Sequence, residues 1–139
     1  MTEIKVADYI VKTDRMYLPS HEWVKDNGDG TFSMGISDYA QKMLREISYV
    51  QFEDVGEDFE SKDVIAVVEA LKATGDIYAP FKCKIIDTNM ELEDNPELVT
   101  ESPYETGYLL KIQALEDDRS NLITAQAYAS IIEDELADL

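Results

Sequence analysis

Val67-Val68-Glu69-Ala70-Leu71-Lys72-Ala73-Thr74-Gly75-Asp76-Ile77-Tyr78-Ala79-Pro80 is the stretch whose reading decides the fold. It continues a β-branched apolar run, Val64-Ile65-Ala66-Val67-Val68, which predicts a strand. Beyond Pro80, Cys83-Lys84-Ile85-Ile86-Asp87-Thr88 predicts another. Between them stands one lysine with small or apolar neighbours, Ala70, Leu71 and Ala73. A reversal there would hold Lys72 out at a hairpin tip, with Gly75 free to take up an unusual backbone angle. Strand periodicity alone does not separate Lys72 from any solvated turn lysine.

Upstream, Tyr17–Lys25 leads into Asn27-Gly28-Asp29-Gly30, a strong turn signal, and then into Thr31–Ile36 with Phe32, Met34 and Ile36 on one face. This predicts a β-hairpin. Ser37-Asp38 can cap a short helix from Tyr39 to about Ile47, with Tyr39, Ala40, Met43, Leu44 and Ile47 at helical spacing. Ser48–Phe52 reads as strand and Glu53–Asp58 as an acidic turn. Downstream, Asn89–Val99 reads as an acidic loop broken at Pro96, Glu101–Gly107 as a turn region, and Tyr108–Ile112 as strand. From about Ser120 the period changes: Tyr128, Ile131, Ile132 and Leu136 share one helical face, with Thr124 as N-cap. Residues 1–16 carry Ile4, Val6, Tyr9, Ile10 and Val11, enough for an edge strand or loose packing. Many short strands with helices at the edges predict a mainly β fold, a small barrel or sandwich.

The chain has 139 residues, the length of one domain with one core. We read residues 1–139 as that domain, with 1–16 an N-terminal extension and 120–139 a C-terminal helical segment. Its 30 acidic and 12 basic side chains leave a net charge of −18. Such a surface is repelled by phosphate backbones and anionic lipid, so nucleic acid and membrane are poor partners. Basic clefts on larger enzymes suit it better. The one cysteine, Cys83, permits no internal disulfide and fits a reducing compartment such as the cytoplasm. No apolar run approaches spanning length, and the acidic N-terminus does not read as a signal peptide. Cys/His metal spacing and a phosphate-binding glycine loop are both absent. His21 is the only histidine and reads as a packed or hydrogen-bonding residue; Trp23 reads as core. Catalysis by this chain alone is not expected, and chemistry would have to arrive with a covalent cofactor.

Glu69-Ala70-Leu71-Lys72-Ala73 followed by Asp76-Ile77-Tyr78-Ala79-Pro80 resembles the lipoyl-attachment hairpin of the glycine cleavage system H-protein family. The likeness extends over about residues 17–132. Ser20-His21-Glu22-Trp23-Val24 resembles the family's opening motif, and Gly35-Ile36-Ser37-Asp38-Tyr39-Ala40-Gln41 its strand-to-helix corner. Glu91–Leu98 and Ser102-Pro103-Tyr104 match its later loops in order and spacing. Biotinyl domains place methionines on both sides of the lysine, where this chain has Leu71 and Ala73. Lipoyl domains of 2-oxo acid dehydrogenases share the hairpin but lack the Ser-His-Glu-Trp opening. Departures from the family are Ala70-Leu71 for its Ser-Val, Lys82-Cys83 for a small residue and a glycine, Arg45 for a helix-end glycine, and Tyr108 for a tryptophan. Losing two glycines requires backbone angles that a Cβ tolerates.

The resemblance implies a barrel/sandwich hybrid of the lipoyl/biotinyl-carrier type with short edge helices and a C-terminal helix. It implies lipoic acid in amide linkage on Lys72, flanked by Glu69 and Ala73, and no metal. The carrier would take an aminomethyl group from glycine decarboxylase to a tetrahydrofolate-dependent aminomethyltransferase. Dihydrolipoyl dehydrogenase, and a lipoate ligase or lipoyl transferase, would be its other partners. Ser20, Glu22 and Asp76 would line the pocket where the loaded arm rests, since two carboxylates and a hydroxyl can hold an ammonium. The alternatives are an H-like lipoate carrier of sulfur oxidation or lipoyl relay, and a protein-binding module without cofactor.

Overall fold

The computed structural model describes residues 2–138. Its strands form three sheets. The largest holds six strands in the order β3 (Met16–Tyr17), β4 (Glu22–Asp26), β5 (Thr31–Ile36), β11 (Leu110–Ala114), β10 (Cys83–Thr88) and β7 (Asp58–Phe59). A three-stranded sheet holds β6 (Ile47–Phe52), β8 (Val64–Ala70) and β9 (Thr74–Tyr78), and β1 (Glu3–Val6) pairs with β2 (Tyr9–Lys12) in a third. Pairing is antiparallel throughout. The result is the expected mainly β barrel/sandwich hybrid, its sheets left open rather than closed.

The core between the two larger sheets is aliphatic, with Ile65, Val68, Ile85, Leu110 and Ile112 fully buried. Each such side chain contributes about 2 kcal/mol by leaving water. Cys83 lies in it, at 0% exposure, between Phe59 and Ala114 on the flanking strands. Burial pushes its thiol pKa up to about 12. A second cluster is aromatic: Tyr17, Trp23, Tyr39, Tyr104 and Tyr128 pack with Val6, Val11 and Ile132. Here Trp23 donates from Nε1 to the Pro103 carbonyl, and a Cβ on Gly35 would lie 2.6 Å from its indole.

Several expectations are corrected. The segment expected as an edge strand or loose packing within residues 1–16 is instead, over the described residues, a hairpin of β1 and β2 packed on the C-terminal helix, with Tyr9 edge-on to Tyr39 at 4.8 Å. Helix α1 (Asp38–Leu44) stops short of Ile47, which enters β6 instead. Ser37 caps it as expected, but Met43 is 56% exposed rather than core. Arg45, beyond its end, keeps φ +58° instead of relaxing to an angle a Cβ tolerates. Lys82 and Cys83 take no such angle, as expected. The acidic segment after β10 is not all loop. It holds two single-turn helices, α2 (Glu91–Asp94) and α3 (Leu98–Glu101), because Leu92 and Val99 bury and Pro96 separates them. The last strand runs two residues later than Tyr108. Helix α4 (Ala125–Ala137) is capped by Thr124 and buries Tyr128, Ala129 and Ile132.

Candidate functional site

Strands β8 and β9 form the hairpin expected around Lys72. Glu69 pairs with Thr74 and Val68 with Gly75, and the Ala70 amide donates to the Ala73 carbonyl to close the reversal. No residue of the reversal has positive φ, so Gly75 is not there for an unusual angle. A Cβ at 75 would approach Leu44 Cδ1 to 3.3 Å, a tight contact that the free end of the leucine can relieve by a small shift. At the tip Leu71 is 70% exposed, and the Lys72 ammonium makes no hydrogen bond or ion pair with a described residue. A cleft of about 390 Å³ begins there, between Leu71–Ala73 and the α1 end at Met43–Glu46.

Met43 and Leu44 also wall a second, narrower cleft of about 140 Å³. Ser20 and His21 stand on one side of it and Gly75 and Asp76 on the other. The two clefts share Met43 and Leu44 as lining residues, which sets two apolar side chains between Lys72 and Asp76. Asp76 is exposed and its carboxylate has no partner among the described residues.

Glu22 is placed differently. It is 0% exposed, behind Ser20, and does not line the cleft. Ser20 Oγ donates to its Oε1 at 2.6 Å, and the Tyr78 amide donates to its Oε2 at 2.8 Å. Burial raises its pKa; these two bonds offset part of the rise. The structure therefore brings Ser20 and Asp76 to one cavity and sets Glu22 one hydrogen bond away. Beyond Ser20 lies a further cavity of about 420 Å³, bounded by Tyr78, Lys62 and Asn121. Glu69, on β8, and Ala73, just before β9, flank the tip.

His21 is the packed, hydrogen-bonded residue that the sequence predicts. Its imidazole is tied to α4: Nδ1 lies 2.8 Å from Tyr128 Oη and Nε2 3.0 Å from Glu135 Oε2. Burial holds its pKa below the usual histidine value, against the raising effect of Glu135, so the ring is neutral at pH 7. The contact with Glu135 is then an Nε2–H donor bond to a carboxylate rather than an ion pair. Only the regular burial of Tyr128 on its helix hinted at these partners.

Residues 15–135 match the family model described as Glycine cleavage H-protein. This chain belongs to that family. Among curated relatives, the glycine cleavage system H protein of Idiomarina loihiensis is 46% identical over 128 residues, covering 89% of this chain and 98% of its own. That of Vibrio atlanticus is 42% identical over 120 residues, covering 86% and 95%. A crystal structure of a glycine cleavage system H protein from Mycobacterium marinum superposes with a TM-score of 0.80 at 29% identity, covering 88% of this chain and 99% of that one. The tip, both clefts and α4 as far as Glu135 fall inside the family match, whereas β1 and β2 precede it.

Proposed function

We propose that Lys72 carries lipoic acid in amide linkage and that the cleft of Ser20 and Asp76, backed by Glu22, receives the loaded arm. The single observation that carries this reading is a lysine without partners among the described residues at the tip of a β-hairpin, in a chain of this family, opening onto a cleft walled by Met43 and Leu44. The residues fit the group. The amine is accessible, Ala70 and Ala73 leave the tip uncrowded, and the path over Met43 and Leu44 suits an alkyl chain. Glu69 and Ala73 present the lysine to the attaching enzyme, a lipoate ligase or lipoyl transferase.

The chain is a carrier component of the glycine cleavage system and not one of its enzymes. It works with that system's other components. We assign these as glycine decarboxylase, the aminomethyltransferase and dihydrolipoyl dehydrogenase, met in the cytoplasm. When bound, the dithiolane supplies the redox chemistry by which an aminomethyl group is taken up and released. The protein supplies tethering, which raises the local concentration of cargo at each docked enzyme, and a place of rest. There Asp76 accepts hydrogen bonds from the cargo ammonium. Ser20, whose hydroxyl donates its hydrogen bond to Glu22, turns its lone pairs to the same cation. Glu22 acts through Ser20 because it is buried.

Intact mass spectrometry after treatment with a lipoate ligase, ATP and lipoate tests the attachment. One lipoyl adduct is expected on the wild type and none on Lys72→Ala; an adduct that survives in the variant overturns it.

A further inference from the structure

We propose that helix α4 sets the geometry of the cleft through His21: Tyr128 and Glu135 hold its imidazole, and with it the turn carrying Ser20 and Glu22, in one position. These are positioning residues, since neither touches the arm, and the inference rests on the cleft being the arm's resting place.

The turn joins β3 to β4. The His21 amide donates to the Leu18 carbonyl, and the Leu18 amide donates to the Glu22 carbonyl. This is a three-residue hairpin loop whose last position takes a left-handed angle, where glycine is usual. His21 sits there at φ +84°. Strain of this kind persists only where surroundings over-determine it. Here they do: the imidazole is only 20% exposed and lies against the rings of Tyr39 and Tyr128, and the His21 carbonyl accepts from the Ser37 amide. A glycine would suit the backbone and lose every side-chain tether.

Proton positions along the tether follow from its ends. Glu135 can only accept, so a neutral His21 carries its proton on Nε2 and accepts at Nδ1 from Tyr128 Oη. Tyr128 Oη then accepts from Ser37 Oγ, which in turn accepts from the Ala40 amide. One directed chain joins α1, α4 and the turn. Protonating His21 puts a hydrogen on Nδ1 and forces Tyr128 and Ser37 to reverse. The ionisable groups around the ring are Glu135 and Tyr128 on α4, Tyr39 on α1, Asp76 across the cleft and Glu22 next in the chain. A cationic His21 would also stand in a cleft meant for a cation.

The test uses full-length lipoylated protein, loaded by glycine decarboxylase with glycine, in wild type, Tyr128→Phe, Glu135→Ala and the exposed control Glu133→Ala. Spontaneous decay of the loaded carrier at pH 7.5 should be up to about tenfold faster in Tyr128→Phe and somewhat less so in Glu135→Ala, whose carboxylate is partly exposed, one hydrogen bond's worth in each case, and unchanged in Glu133→Ala. In the unmodified proteins, exchange of the Tyr78 amide, which reports the Glu22 carboxylate, should quicken about tenfold in the same two variants. Wild-type decay should quicken as pH falls through the His21 titration followed by imidazole NMR, and in Tyr128→Phe that step should shift with the titration. Asp76→Asn separates the two ideas. If it speeds decay while Tyr128→Phe and Glu135→Ala do not, the cleft reading stands and the role of α4 is overturned. If none of the three alters decay, the arm does not rest there and both fall.

Discussion

Two reversals flank the site and are built to opposite specifications. The Leu71–Lys72 tip uses only ordinary backbone angles, is closed by the Ala70–Ala73 main-chain bond and tied to Glu46 by a longer one from the Leu71 amide, and leaves its side chains in solvent. The Leu18–Glu22 turn forces a histidine to a left-handed angle and surrounds it with tyrosines, a carboxylate and two main-chain bonds. A group that several enzymes must reach gains from having no neighbours. A surface that must recognise one cation gains from being immobile. In the function proposed above, the strained reversal is the receiving end of the site and the unstrained one the delivering end.

The largest expected effect is at the free end. Lys72→Arg keeps the charge and the hairpin but offers no acylable amine, so lipoylation should vanish while the melting temperature stays within about 1 °C, as for a surface change. Differential scanning calorimetry beside intact mass checks both halves.

Next comes the fixed end's foundation. Gly35→Ala drives a methyl into the Trp23 indole beneath the turn. Overpacking there should cost about 2–3 kcal/mol, a fall of very roughly 10 °C in melting temperature. An unchanged melting curve would mean that the aromatic cluster yields and is not the rigid support described.

Glu22 gives a pH signature. Its folded pKa is raised, so protonation favours the folded state. The stability this contributes is complete below the unfolded carboxylate pKa and is lost as pH rises through the folded value. The difference between Glu22→Gln and wild type in urea unfolding should therefore move in favour of the glutamine as pH rises above the unfolded carboxylate pKa, about 4.3. A flat difference would place the carboxylate in water.

The smallest effect is at Arg45, in a backbone region that glycine prefers. Arg45→Gly should stabilise by about 1 kcal/mol, read as a shift in the urea midpoint at constant slope. A loss of stability would show that strain at the α1 end is compensated by the side chain, as it is at His21.

What could be read from the residues follows the same division. The Lys72 hairpin was legible because its strands are apolar runs and its tip is not. The β4–β5 hairpin was legible because Asn27–Gly30 demands a turn, and the Ser37 and Thr124 caps declare their helices. The β1–β2 hairpin was not, since Ala7 at its turn takes φ +52° without being glycine or asparagine. Helices α2 and α3 are one turn each, too short for any period to show. The burial of Glu22 was illegible because only its surroundings separate it from 29 other acidic residues, 30 in all. The tether of His21 to Tyr128 spans 107 residues of chain, and no local pattern encodes it.

Cys83 has a consequence for a carrier whose cargo arm ends in sulfur. With a pKa near 12, its thiolate fraction at neutral pH is roughly one in a hundred thousand, and no reagent reaches it in the folded core. The polypeptide is therefore silent toward disulfide exchange, and a reduced arm has no sulfur of its own chain to pair with. In the native protein, every rapidly alkylated thiol should be a reporter of the arm. A colorimetric thiol count would then read out the redox state of the carrier directly, without removing the cofactor or mutating the chain.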